Sequence, residues 1–521
     1  MDGAWWTSKQ YTLCMVLNSP RALVRALLFG LFFVGSSGLA PVAMQERAAG
    51  ANAAHVRKSV QGKAALEAQR YDEAIAIYTD LVKALPRNAG LRLNLGLAYA
   101  MAGRPKEALT HLERAVGLQP TLMPAWMFIG SAYLDLGEPA KAVVPLQKVV
   151  AADPKNYEAR RMLGEALLSA GKHSEAVRVM QRLSTDRPKD PVAWYGLGRA
   201  YEAEARQAFG QLQRNAPDSP YTQLLVADVF LTQERYPRAF VLYRDALKAL
   251  PGFGPAHEAV AEIYAKTGSE AWAVRERAKA PSCKPPTGLA CLFGEGRFGD
   301  VAAAAKKLRG PEGLYWQARA LNELAARAFS TLESLPPSMQ LHLLRAEILS
   351  GQARYADALA ALREAEKLEP ENGIVQREVA LGLYLAREDA AAKPALERAI
   401  LSGPGDVDLL HAYGDLLLRL QQPEQAIRPL TRALEIRDDR PDVHAALGRA
   451  LIQLGRPAAA IRHLEAALPA DEDGSLHFQL ARAYQDAGQH ERAKPLLEKS
   501  QQLREASERG EAGPAPAITP P

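Results

Sequence analysis

Cysteine is scarce in this chain: three in 521 residues, Cys14, Cys283 and Cys291. A zinc site needs about four ligands, and no His or further Cys stands near Cys283 and Cys291. A haem attachment needs Cys-x-x-Cys-His, which does not occur. Charge of one sign is also lacking, since 64 Lys and Arg face 59 Asp and Glu for a net +5. The basic pairs Arg57-Lys58 and Lys306-Lys307 are too short for a polybasic site, so nothing points to nucleic acid. No apolar run reaches the roughly 20 residues of a membrane span. Catalytic signatures are missing as well: no Gly-x-x-x-x-Gly-Lys-Ser/Thr loop, no Gly-x-Ser-x-Gly elbow, no His-Glu-x-x-His helix. His257-Glu258 comes nearest to the last, but residue 261 is Ala. Histidines stand singly, and Glu73, Glu107, Glu175 and Glu424 sit where a helix start favours negative charge. No enzyme, cofactor or metal site is expected.

What the chain does have is a period. Ala74, Ala108, Ala142 and Ala176 are 34 residues apart. Twelve residues before each comes Gly62, Gly96, Gly130 or Gly164; four after comes Tyr78, Leu112, Leu146 or Met180; twelve after comes Pro86, Pro120, Pro154 or Pro188. Trp126, Ile129, Gly130 and Tyr133, then Ala142, Leu146 and Val149, have the spacing of one buried face on each of two helices. Small residues on both helices allow close approach. Gly137 stands where the first helix must stop, and the proline ends the second.

Four residue classes held in register through four units make the chain similar to the tetratricopeptide-repeat family, whose 34-residue unit is a helix–turn–helix of this pattern. The resemblance implies an all-α solenoid in which each repeat packs mainly on its neighbours. A fifth unit (Trp194, Leu197, Gly198, Tyr201) reaches its proline, Pro217, about five residues early, which predicts a shortened second helix. A sixth and a seventh follow, up to Arg277. The register resumes with Ala358, Ala392, Ala426, Ala460 and Ala493, after a degenerate helix pair around residues 315–335, for about thirteen repeats in all. The expected layout is an N-terminal array over 55–280, an irregular Pro- and Gly-rich interruption over 281–311, and a C-terminal array over 312–509. Ser500 and the polar residues after it suit the wetted face of a last repeat. Residues 510–521 are expected to be disordered.

Residues 1–43 read as an export signal: Arg21 and Arg25, an apolar run over 26–34, then small residues. An uncleaved membrane anchor is the alternative, and 44–54 read as a linker. The chain is thus expected to be periplasmic or secreted. In such a compartment Cys283 and Cys291 read as a disulfide.

Function in this family is sought on the concave face, lined by the first helix of each unit. The resemblance puts Leu93, Asn94, Leu97, Met127, Phe128, Ser131, Arg161, Met162, Glu165, Tyr195, Arg199 and Glu202 there. Phe128 and Tyr195 are expected as anchors for an extended peptide or helix, and Arg161 and Arg199 as carboxylate contacts. Packing against adjacent repeats is the competing role for the apolar members. The family's carboxylate clamp on chaperone tails is not expected: Asn94 matches, but Ser59 and Lys63 replace the Lys and Asn that the clamp uses. The function expected is a non-enzymatic scaffold binding one or more proteins, for example in an envelope or secretion assembly. A glycan or secreted-enzyme adaptor, and an enzyme with its site in 281–337, are the alternatives; the carboxylates there, Glu295, Asp300 and Glu312, are isolated.

Overall fold

The computed structural model describes residues 42–281, 288–512 and 518–520. The leader over 1–41, Cys14 and Cys283 lie outside the described residues. Those described form 26 α-helices and one short 3-10 turn.

Most helices are consecutive hairpins. Ala89–Met101 pairs with Pro105–Leu118, Met123–Asp135 with Pro139–Ala152, and Tyr157–Ser169 with His173–Asp186. Each hairpin closes over a glycine. A Cβ on Gly96, Gly130 or Gly164 would sit 2.6 Å from Leu112 Cγ, 2.5 Å from Leu146 Cγ or 2.4 Å from Met180 Cε. The partner is always the residue 16 positions later, and Gly414–Leu430 and Gly448–Leu464 repeat the contact at 2.5 and 2.7 Å. At these glycines only a hydrogen on the first helix leaves room for the large side chain on the second, whereas Ala346 and Ala380 hold the equivalent place opposite Leu362 and Leu396. Between the two helices the backbone turns through positive φ, at Gly103, Gly137 and Gly171, but also at Ala353, Arg387 and Gln421.

A second regularity lies in hydrogen bonding. The carbonyl that ends the preceding unit is met by a side chain six residues on. Arg92 Nε donates to Pro86 O at 2.9 Å, Trp126 Nε1 to Pro120 O at 2.9 Å and Trp194 Nε1 to Pro188 O at 2.8 Å. Gln376 Nε2 donates to Pro370 O at 2.9 Å, and His257 and His444 place Nε2 at 2.9 and 3.1 Å from the carbonyls of Pro251 and Asp438. Four residue types share this position because each carries an N–H that satisfies an orphan carbonyl of a helix end.

The pattern breaks in the middle of the chain. The fifth repeat has no hairpin: Pro191–Asn215 is one helix of 25 residues. Between Tyr201 and Gly210 the sequence has neither Gly nor Pro, and its Ala and Glu continue the helix instead of turning it. The shortened second helix expected there is therefore fused to the first. The degenerate pair expected around residues 315–335 is likewise one helix, Pro311–Glu333, of 23 residues. The two long helices meet: a Cβ on Gly198 would lie 2.2 Å from Phe329 Cε1. Phe329 thus fills the place that the residue 16 positions later fills in a regular repeat. The interruption itself is partly helical, with Leu289–Gly294 and Phe298–Ala305, and Lys306 Nζ lies 2.6 Å from the buried Glu204 carboxylate. Phe293, Phe298, Trp316, Tyr315 and Phe253 join in an aromatic cluster with ring centroids 4.8 to 5.7 Å apart.

Packing divides the chain into two compact units: residues up to Leu197 with Ser338–Leu344 and Ala361–Glu378, and Gly198–Pro337 with Arg345–Ala360 and Val379–Pro521. The division falls inside the fused fifth repeat, not at residues 281–311, because that repeat packs on the helices beyond the interruption. At the two ends, too, the structure departs from the expected layout. Residues 44–54 are helical, within Val42–Glu67. Ser500 is buried and donates to Gly474 O at 2.7 Å, so it seals the last hairpin while Gln501 and Gln502 take the wetted face.

Candidate functional site

The strip expected to form a peptide groove is largely internal. Phe128 is 4 % exposed and belongs to the core that runs from Ala65 to Ala132, together with Leu93 and Leu97. Met127 and Met162 are buried as well, and Tyr195 is 7 % exposed. Phe128 and Tyr195 therefore do not stand out as exposed anchors; for Phe128 the reason is packing between neighbouring hairpins. Asn94 is half-buried and hydrogen-bonds the Tyr78 hydroxyl, whose proton points to Ser59 O at 3.2 Å. The two arginines are occupied. Arg161 holds Glu158 at 2.5 Å and Glu165 at 3.5 Å, within the unit of the first four repeats. Arg199 holds Glu202 at 3.4 Å and Glu347 at 2.5 Å, within the other unit.

The same positions of the first helix carry different chemistry in the last repeats. There they hold His411, Asp415 and Arg449, with Asp408, Asp442 and Arg440 one turn earlier. Val407–Arg419 and Pro441–Gln453 each begin after a turn, so their equivalent residues lie side by side at a spacing of 34. Arg449 Nη2 donates to Asp415 Oδ1 at 2.7 Å, and Tyr384 Oη to Asp415 Oδ2 at 2.9 Å. Arg419 bridges Asp389 at 2.5 Å and Asp415 at 3.9 Å. Arg440 spans Asp408 at 2.8 Å and Asp442 at 2.6 Å, and His411 Nδ1 lies 3.5 Å from Asp442.

Electrostatics follow from this ladder. Burial pushes the Asp415 carboxyl up, but Arg449 and the Tyr384 hydroxyl outweigh it and hold the group below the usual carboxylate range. Asp442 is lowered in the same way, by Arg440 and His411 against burial. His411 is lowered by burial, which the two aspartates do not offset. Most of the network is half-buried, yet Arg449 and Asp442 keep 43 % and 42 % of their side chains exposed. The Nε groups of Arg419 and Arg449 are buried without a hydrogen-bond acceptor, so neither is open to a partner. The outcome is a row of oriented charges, two of them partly open to solvent, suited to a polar or charged partner and not to an apolar one. Carrying the first-helix offsets beyond the fifth repeat would have found these residues in the sequence; their mutual pairing has no local signature.

Around the interruption, Glu295 and Asp300 both pair with Arg297, at 3.8 and 2.7 Å, and Cys291 is buried. Among the described residues no group of three His, Cys, Asp or Glu could hold a metal ion, and no helix is long and apolar enough to cross a membrane.

Family models described as "Tetratricopeptide repeat" match residues 60–122, 133–201, 203–252, 383–450, 422–477 and 474–507. Together these matches take in more than half of the chain. A search of curated proteins finds no match. Solved structures that align include MamA from AMB-1, 23 % identical over 32 % of this chain and 98 % of its own, with a TM-score of 0.29. YrrB, described as a TPR protein with an unusual peptide-binding site, is 22 % identical over 31 % of this chain and 84 % of its own, at 0.28. A tetratricopeptide repeat protein from Parabacteroides merdae is 14 % identical over 63 % of this chain and 98 % of its own, at 0.30.

Proposed function

Because the chain belongs to the tetratricopeptide-repeat family, a family of protein-interaction scaffolds, we propose that it is an exported, non-catalytic scaffold whose last repeats hold a partner through their charged first-helix strip. The observation that carries this is the ladder at Asp415, Arg449, Asp442 and Arg440: charges aligned from repeat to repeat, with Arg449 and Asp442 still open to solvent. Charges already fixed by their neighbours lose little side-chain entropy on meeting a partner, so they contribute orientation and specificity. An acidic segment engaging Arg449 fits best, because that guanidinium offers donors beyond the one given to Asp415.

Export is supported by the basic flank and apolar run ahead of residue 44, and a disulfide at Cys291 belongs to the same proposal. Cys283 is its proposed partner, and the cell envelope or the secreted fraction is the proposed location. Recovery of partners after cross-linking in cells tests the scaffold. The chain should bring down a reproducible set of proteins, and the double variant Arg449→Ala, Asp442→Ala should lose them while keeping its helical circular dichroism. Full recovery with the double variant would remove the strip from the account.

A further inference from the structure

Near the C-terminus, where disorder is expected, Thr519 is held by a side chain of the seventh repeat. Tyr264 Oη donates to the backbone carbonyl of Thr519 at 2.6 Å, across 255 residues of sequence and within one compact unit. Tyr264 lies on Gly254–Lys266, the first helix of the seventh repeat, and its side chain is fully buried. Its ring meets Phe240 of Tyr236–Ala249 and Trp272 of Glu270–Arg277 edge to face, with centroids 5.6 and 5.5 Å apart. Ile518 is half-buried, whereas Thr519 and Pro520 remain exposed.

A hydroxyl aimed at a main-chain carbonyl beside clustered rings, of which Trp272 is the partly exposed one, combines two elements by which proline-rich, extended peptides are recognised: an aromatic face for a pyrrolidine ring and a donor for an otherwise unpaired C=O. The docked segment has the matching sequence. Residues 513–521 read Gly-Pro-Ala-Pro-Ala-Ile-Thr-Pro-Pro, a composition of four prolines that favours an extended peptide, with one large apolar side chain, Ile518. The seventh repeat is also where the second helix is short, eight residues against the usual 14.

We propose that the Tyr264, Phe240 and Trp272 surface is a docking site for proline-rich extended peptide, and that this chain's own C-terminus is its resident ligand. The idea deepens the scaffold reading by adding a second, self-occupied site. A ligand tethered on the same chain acts at an effective concentration of order millimolar, so only a peptide of higher affinity or abundance displaces it.

The test compares the full chain with one ending at Ala512, using a synthetic nonapeptide with the sequence of residues 513–521 as probe. Calorimetry should show saturable binding to the shortened chain and at least tenfold weaker apparent binding to the full one. Tyr264→Phe in the shortened chain keeps the ring and removes one hydrogen bond, so affinity should fall about three- to tenfold with no change in helical content. In the full chain labelled with 5-fluorotryptophan, the resonance assigned through Trp272→Phe should move on deletion of the tail and on Ile518→Asp, and added nonapeptide should restore it in the first case. Failure of the peptide to bind the shortened chain, or equal binding to both chains, would overturn the proposal. So would a concentration-dependent dimer of the full chain that the peptide dissolves, since the tail would then dock on a second copy. These titrations involve no outside partner, so their failure is separate from any failure to recover partners by cross-linking.

Discussion

The first four repeats and the last four share a backbone plan and differ in what their first helices present. In both, a glycine of the first helix lies against the residue 16 positions later. Beside that glycine, however, the early repeats carry Leu93, Leu97, Met127 and Phe128, which are buried, whereas the late ones carry His411, Asp415 and Arg449, linked by ion pairs from one repeat to the next. The glycine position belongs to the fold and takes a small residue in every regular repeat, glycine or, as at Ala346, Ala380 and Ala481, alanine; the flanking positions differ between arrays. A solenoid can thus keep its core and change its surface, because each repeat depends mainly on its neighbours.

If the core is truly equivalent, damage to it should be equivalent. Gly130→Ala and Gly414→Ala each force a Cβ to 2.5 Å from a leucine Cγ, Leu146 in one and Leu430 in the other. Overpacking of this kind costs about 1–3 kcal/mol, and denaturant titration of the two variants should give similar losses near the upper end. A loss confined to one variant would show that the two arrays differ in rigidity as well as in surface.

The flanking positions should respond unequally. Asp415→Ala leaves Arg449 without its acceptor and Arg419 with Asp389 alone, in a half-buried setting, and should cost about 2 kcal/mol, an effect that diminishes in 0.5 M salt. Met127→Leu conserves volume in the early strip, so it should cost under about 1.5 kcal/mol with no dependence on salt. Thermal melts at two salt concentrations separate the cases.

Acid should act on the late array through histidine. His463 is buried, and its pKa is held down to about 4 by burial first, then by Arg462 and by His444, whose Nδ1 lies 3.0 Å away. Unfolded, the same group titrates near 6.5 and takes up its proton first. Stability is therefore lost as pH falls from about 6.5 to about 4, and His463→Gln should flatten that part of the stability curve. Asp415 adds a further loss of the same sign below about pH 4, since its folded value is the lower one. An unchanged slope in His463→Gln would assign the acid sensitivity elsewhere.

The smallest effect belongs to the turns. Gln421 adopts φ +58° where Gly137 adopts +71°. A side chain in the left-handed region costs about 1 kcal/mol, so Gln421→Gly should stabilise slightly and Gly137→Ala should destabilise by a similar amount.

The repeat was legible in the sequence because its residue types follow from geometry. Ala108, Ala142 and the glycines sit where only small groups fit, and Gly137 where φ is positive. The fused helix Pro191–Asn215 was half legible: the early Pro217 announced a missing segment, but only the structure shows that the turn, not the second helix, was lost. Phe329 in the gap beside Gly198 is a contact across 131 positions, which no local pattern carries. The candidate groove was misjudged at Phe128 because the offsets that mark a concave face also mark packing between neighbouring repeats.

The most direct test of the scaffold account places a photo-activated cross-linking amino acid at position 449, on the charged strip, and at position 144, an exposed valine on a second helix of the early array. Irradiation in cells should join partner polypeptides to the chain from position 449 and not from position 144. Equal cross-linking from both positions, or none from 449, would contradict the assignment of partner binding to the late repeats.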